Sequence, residues 1–192
     1  MLFRSTILTR LQKLPPMQIT AHAPDVLAAS GRLSTAVDRY YDIPLDGRNS
    51  PALALKIGRL TVLRHSMPLA EDELKKLEQS DPLYGYHMLK AYMAAENRNR
   101  DEAVKELEMA LKAALPGDES WTSAAEVYAI LNDTNGVIGS LEKAAQRKEP
   151  TAAYILANPL FNYLENDSRF ANLRTTLTEQ QVEIRTALAQ VK

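Results

Sequence analysis

The sequence predicts an all-α fold, built as an array of paired helices, and three observations lead there. Apolar residues recur at three- and four-residue steps from residue 51 onward, the spacing that places them on one face of a helix. Pro, Gly, Asn and Asp cut this pattern into pieces of ordinary helix length. The pieces then repeat with a period of 33 to 34 residues, which marks a helical-repeat architecture.

Taken in order, the pieces are "GRLSTAVDRYYDI" (31–43), "PALALKIGRLTVLRHSM" (51–67), "PLAEDELKKLEQSD" (68–81), "PLYGYHMLKAYMAAEN" (82–97) and "RDEAVKELEMALKAAL" (100–115). The stretch from Trp121 to Ala145 follows and is split at "NDTNG". Aligning the second helix of each pair on its small residue gives Ala36, Ala70, Ala103 and Val137, spaced 34, 33 and 34 apart. Four positions on stand Tyr40, Leu74, Leu107 and Leu141, and three beyond those Ile43, Leu77, Ala110 and Ala144. In the first helices Gly58, Ala91 and Ala125 recur 33 and 34 apart. A small residue at such a column is expected to let the two helices of a pair approach closely.

On these residues the chain resembles the tetratricopeptide repeat family, whose pattern runs W-x2-L-G-x2-Y, then A-x3-F, then a small residue and Pro. Trp121, Ala124, Ala125 and Tyr128 fill the first part of the pattern in the fourth unit, and Gly58 and Pro82 fill their places in the second. His87 stands where the third unit would carry Trp, Ala94 where it would carry Tyr, and Pro24 would break the first helix of the first unit. The resemblance implies a right-handed α-solenoid over residues 31–150, with Trp121 and Tyr128 filling space between neighbouring pairs. It also implies a concave groove lined by first helices, which places a peptide-binding surface at Leu55, Arg59, Met88, Tyr92, Glu96, Thr122, Glu126 and Ile130, with Leu63 beside them. Met88 and Tyr92 at the centre suit an extended or helical peptide, because thioether and phenol surfaces adapt to varied partners. Some members clamp the C-terminal carboxylate of chaperones with Lys and Asn. Leu55, Arg59, Met88 and Leu89 stand at those places here, so such a clamp is not expected.

Flanking regions complete the division of the chain. Residues 1–30 read as a helix, "STILTRLQKL", and a short strand in which Met17, Ile19, Ala21 and Ala23 alternate. Residues 151–192 read as capping helices: Phe161, Leu164, Phe170 and Leu173 would cover the end of the last pair, as the ends of stacked repeats require, and "TEQQVEIRTALAQ" would form a final helix. The spacing P-x-F-x-x-L-x-x-D-x-R-F-x-x-L within residues 159–173 resembles the ends of helical-repeat tails in bacterial winged-helix regulators, adenylyl cyclases and kinases. That resemblance implies an alternative role as a sensory or oligomerisation tail of a bacterial signalling or transcription regulator, self-associating as a homo-oligomer.

Composition narrows the chemistry. The 23 Lys and Arg balance 24 Asp and Glu, so no net field favours nucleic acid or an anionic membrane. There is no cysteine, which removes disulfides, thiolate nucleophiles and cysteine zinc sites. No window reaches the roughly 18 to 20 apolar residues of a membrane span, and Arg10, Gln12 and Lys13 interrupt any signal-peptide core. The expected compartment is the cytoplasm, with the periplasm as the alternative for a tethered tail. His22, His65 and His87 lack the spacing of metal ligands, and the seven glycines form no phosphate-binding loop. Acidic clusters at 70–73, 101–102 and 117–119 each open a helix, where they favour the helix dipole by about 0.3 to 1 kcal/mol, a simpler role than catalysis. No catalytic residue, metal or cofactor is therefore expected, and the predicted partner is a protein or peptide segment.

Overall fold

The computed structural model describes residues 32–43, 50–81, 83–116, 118–149 and 158–190, with residues 24, 27, 28, 152 and 156. All regular structure among them is helical. The elements are α1 (Leu33–Tyr41), α2 (Pro51–Leu63), α3 (Met67–Ser80), α4 (Tyr84–Glu96), α5 (Arg100–Ala113), α6 (Ser120–Ile130) and α7 (Thr134–Gln146). A 3-10 helix (Pro159–Leu164) and α8 (Ser168–Gln190) follow. The N-terminal helix and strand expected before residue 24 lie outside the described residues.

Local sequence explains most of the boundaries. Ser50 accepts the Leu53 N–H at 3.2 Å and is followed by Pro51 at the first helical position of α2, where the missing proline N–H costs nothing. Asn99 and Asp133 cap α5 and α7 in the same way, accepting from Glu102 and Gly136. Before α4, Asp81 takes the N–H groups of Tyr84 and Gly85 at 3.2 and 2.7 Å. The first helices end alike. His65, Arg98 and Asn132 each hold a positive φ of 55 to 60°, and the next residue donates back to Thr61, Ala94 and Tyr128 at 2.9 Å. Lys148 closes α7 with the same geometry. This pattern satisfies carbonyls that would otherwise be orphaned at the helix ends. None of the four residues is glycine, so the turn is held by these bonds and not by a residue with intrinsic freedom.

The helices α2–α3, α4–α5 and α6–α7 form three antiparallel pairs. The first helix of each packs on the first helix of the next, and α3 and α5 also touch the following first helix. α1 packs on α2, and α8 packs on α7. The small-residue columns lie at these contacts: Ala36, Ala70, Ala103, Val137, Ala91 and Ala125 are fully buried. A Cβ on Gly58 would stand 3.3 Å from Glu73 Cβ in the partner helix and 2.5 Å from a Leu89 methyl of the next pair. That glycine therefore serves two approaches, one within its pair and one between pairs.

Several expectations are refined by the packing. Trp121 sits against its own partner helix, with Lys143 Nζ 4.0 Å from the ring centre and Arg147 beside it. It also borders the core shared with the preceding pairs. Tyr128 lies over Gly136 of the same pair, whose missing side chain makes room for the ring. Of the acidic clusters, only Asp101 and Glu102 occupy a first helical turn. Residues 70–73 fall further into α3, which starts at Met67, and 117–119 precede α6. The final segment is not a separate helix: α8 runs unbroken from Ser168 to Gln190, since no Pro or Gly interrupts it. Phe161, Leu164 and Phe170 are buried against Val137, Ile138 and Leu141 of α7, with Leu173 at their edge.

The close approach at Ala125 predicts the cost of enlarging it. Ala125→Leu should destabilise the chain by about 1 to 3 kcal/mol through overpacking, read as a lower urea midpoint with an unchanged slope. An unaltered midpoint would mean that the contact has slack.

Candidate functional site

The first-helix positions singled out in the sequence converge on one carboxylate. Glu126, in the middle of α6, is 1% exposed. Its Oε2 accepts the Tyr92 hydroxyl of α4 at 2.6 Å and lies 3.1 Å from Arg59 Nε of α2. The guanidinium contact is an ion pair with its N–H off the line to the oxygen, and it makes no aligned hydrogen bond through that nitrogen. Oε1 accepts Asn158 Nδ2 at 3.2 Å, just before the 3-10 helix. Four elements thus meet at a single side chain. Tyr92 also donates to the Ser123 carbonyl at 3.2 Å. Burial, followed by the negative charge of Glu126, raises its phenol pKa well above the ordinary value, so it remains a donor throughout the physiological range.

The other predicted positions divide by environment. Met88 is fully buried and Ile130 nearly so, both in the core cluster around Tyr92. Ile130 also offers its carbonyl to Arg98 at 2.9 Å. Thr122 is buried at the head of α6, where its N–H and hydroxyl both donate to Glu149, at 2.8 and 2.7 Å. Leu55 and Leu63 are half-buried along α2. Glu96, at the end of α4, pairs with His65. The structure therefore brings Arg59, Tyr92 and Glu126 together and gives Thr122 and Glu96 to other contacts.

Asn158, Leu160 and Glu149 are parts of this surface that the sequence reading did not reach. A signal for Leu160 existed. Arg59, Tyr92 and Glu126 are spaced 33 and 34 apart, and another 34 residues lead to Leu160, which packs against the same core. Leu63, Glu96 and Ile130 lead in the same way to Leu164. Glu149 had no such signal. It reaches back across 28 residues to accept the Trp121 N–H at 3.1 Å and so caps α6 from a different turn.

A second polar group lies between α4 and α5. Glu106, buried on α5, accepts Lys90 Nζ at 2.8 Å and lies 2.6 Å from His87 Nδ1. Burial alone would raise its pKa, but the hydrogen bonds from Lys90 and His87 outweigh burial and hold the carboxyl below its ordinary range. The same bond raises the Lys90 ammonium. Arg98 in the turn after α4 and Arg100 at the start of α5 are also engaged, with Ile130 and Asp133. Among the described residues, no set of three acidic or histidine side chains is placed to hold a metal ion. No helix among them is long and apolar enough to cross a membrane.

No protein-family model, curated protein or solved structure matches this chain.

Two substitutions probe these groups. Tyr92→Phe removes a donor from a buried carboxylate and should lower stability by about 1.5 to 3 kcal/mol, measured by urea unfolding. Glu106→Gln should cost about 1 to 2 kcal/mol at neutral pH. A depressed carboxylate pKa stabilises the fold above the unfolded value, near 4.3, and that contribution is lost as pH falls through the folded value. The difference between wild type and Glu106→Gln should therefore shrink below about pH 4; a constant gap down to pH 3 would mean the charge plays no part.

Proposed function

We propose that this chain is a non-catalytic helical-repeat module, similar to the tetratricopeptide repeat family, that binds a protein or peptide segment on the face formed by its first helices. The observation that carries this reading is the contact between Arg59 and Glu126. These residues belong to pairs that are two units apart, with α4 of the intervening pair between them. Side chains so placed meet only where successive first helices curve toward one another, which supports a concave face. Periodic bonds support a regular stack: Tyr92 to Glu126, Arg98 to Ile130 and Arg169 to Asn135 span 34, 32 and 34 residues. Leu55, Arg59 and Glu96 remain partly accessible on the first helices, giving an apolar side chain one turn before a positive charge on α2 and a negative charge at the end of α4. That is the usual composition of a surface in which apolar contacts supply affinity and charges select the partner.

The test is affinity capture from a native cell extract with wild type and Leu55→Glu, after circular dichroism shows equal helicity. A polypeptide held by wild type and released by the variant is the expected result. Identical retention by both proteins would place binding on another face and overturn the assignment.

A further inference from the structure

We infer that the head of α6 and the last turn of α7 form a second docking site, which takes an extended acidic segment of a partner protein on Trp121, Lys143 and Arg147. The site is built from residues other than those of the first-helix face and stands or falls independently of it. Lys143, in the last turn of α7, and Arg147, its C-cap, are four residues apart and exposed. Both lean on the half-buried Trp121, with Lys143 Nζ 4.0 Å and Arg147 Cζ 5.9 Å from the ring centre. Neither meets a carboxylate within salt-bridge distance among the described residues. The carboxylates nearest in sequence are engaged elsewhere. Glu149 accepts the Trp121 and Thr122 N–H groups and the Thr122 hydroxyl, and Glu142 lies within electrostatic reach of Arg169. The Trp121 indole N–H is also without an acceptor among the described residues, and it is not buried. An indole N–H, an ammonium and a guanidinium thus stand together, three donor groups with no acceptor.

That set fits an oxyanion, and its layout fits a peptide. Cations near a helix C-terminus favour the dipole, but like charges four residues apart repel each other by about 0.2 to 0.5 kcal/mol. A bound carboxylate removes that repulsion. The indole holds both cations by attraction to its face, about 0.5 to 1 kcal/mol at an exposed site, so less side-chain freedom is lost when the anion arrives. Four helical residues rise about 6 Å, and alternate side chains of an extended chain are about 6.6 Å apart. Carboxylates at positions i and i+2 of an extended segment therefore match Lys143 and Arg147, with Lys148 exposed just beyond them. Single-stranded nucleic acid fits less well. It binds by stacking bases on open aromatic faces, whereas Trp121 carries Lys143 on its face and packs against the cluster of Ala144, Ala145 and Leu177.

The chain's single tryptophan lies in the site, so its emission reports occupancy directly. The full-length chain is titrated with a decapeptide of alternating Glu and Ser, labelled with fluorescein for anisotropy and unlabelled for Trp121 emission. Saturable binding that changes Trp121 emission and weakens as sodium chloride rises from about 50 to 300 mM is expected. A decapeptide of alternating Gln and Ser should not bind. Lys143→Gln combined with Arg147→Gln should bind the acidic peptide about ten-fold more weakly, at unchanged helicity. Lys75→Gln combined with Lys105→Gln removes the same charge elsewhere and should bind like wild type. Failure of wild type to bind the acidic peptide overturns the proposal, as does equal affinity in the Lys143 and Arg147 double variant. An equal loss in both double variants also overturns it, because net charge alone would then account for binding. Should the Lys143 and Arg147 double variant lose helicity, Lys143→Gln decides alone, and wild-type affinity in it overturns the site. Tighter binding of a ten-nucleotide oligothymidylate than of the acidic peptide overturns it in favour of single-stranded nucleic acid.

Discussion

Close approach between helices is the constraint on which the rest of this structure depends. Ala36, Ala70, Ala103, Val137, Ala91 and Ala125 have no exposed surface, and Gly58 leaves space that a Leu89 methyl already occupies. Where the side chains at a crossing are small, helix axes draw near enough for the larger residues around them to interlock. Tyr40, Leu107 and Leu141, four positions further along the second helices, are buried as a result. Each pair alone would leave an apolar face in water. Burial is completed by the neighbouring pair, and at the far end by Phe161, Leu164 and Phe170.

Tight packing sets the terms for every polar group caught within it. Glu73, Glu106, Glu126 and Glu149 are all buried or nearly so, a residue type that is almost never found inside unless paired. Each is paired. Glu73 receives Tyr41 and Lys76, Glu106 receives Lys90 and His87, and Glu149 receives the head of α6. All four draw at least one donor from a helix other than their own segment, so the carboxylates record how the helices are arranged relative to one another. Their net stabilising effect is small because desolvation opposes it, but removing a donor leaves a buried charge uncompensated, and that penalty disfavours alternative arrangements.

How far the sequence could be read depended on the kind of interaction involved. The repeat columns were legible up to residue 148 because burial of a helix face imposes a period that composition displays directly. Beyond that point the second-helix column fails: its next member, Ala171, is exposed, while Phe170 beside it is buried. The first-helix columns do continue to Leu160 and Leu164, through a six-residue 3-10 helix in place of an α-helix of 11 to 13 residues. A short segment of that kind carries too few turns to show a helical period. For the same reason the convergence of Arg59, Tyr92 and Glu126 on one column was visible, whereas Asn158, two residues off that column, was not.

The sequence by itself determined the helical class, the pairing of helices, the turn chemistry at Ser50, Asn99 and Asp133, and the small-residue columns of the core, while Met88, Tyr92 and Ile130, expected on the groove, lie in the core. These follow from local propensity and from periodic burial, both of which are written along the chain. Only the tertiary structure decided which charges meet. Glu149 caps α6 from 28 residues away, and Arg59 reaches Glu126 across an intervening helix. Neither contact has a local cause: the first depends on how α6 and α7 pack within their pair, the second on the angle at which successive pairs stack, and both are set by the sum of the side-chain volumes at the crossings.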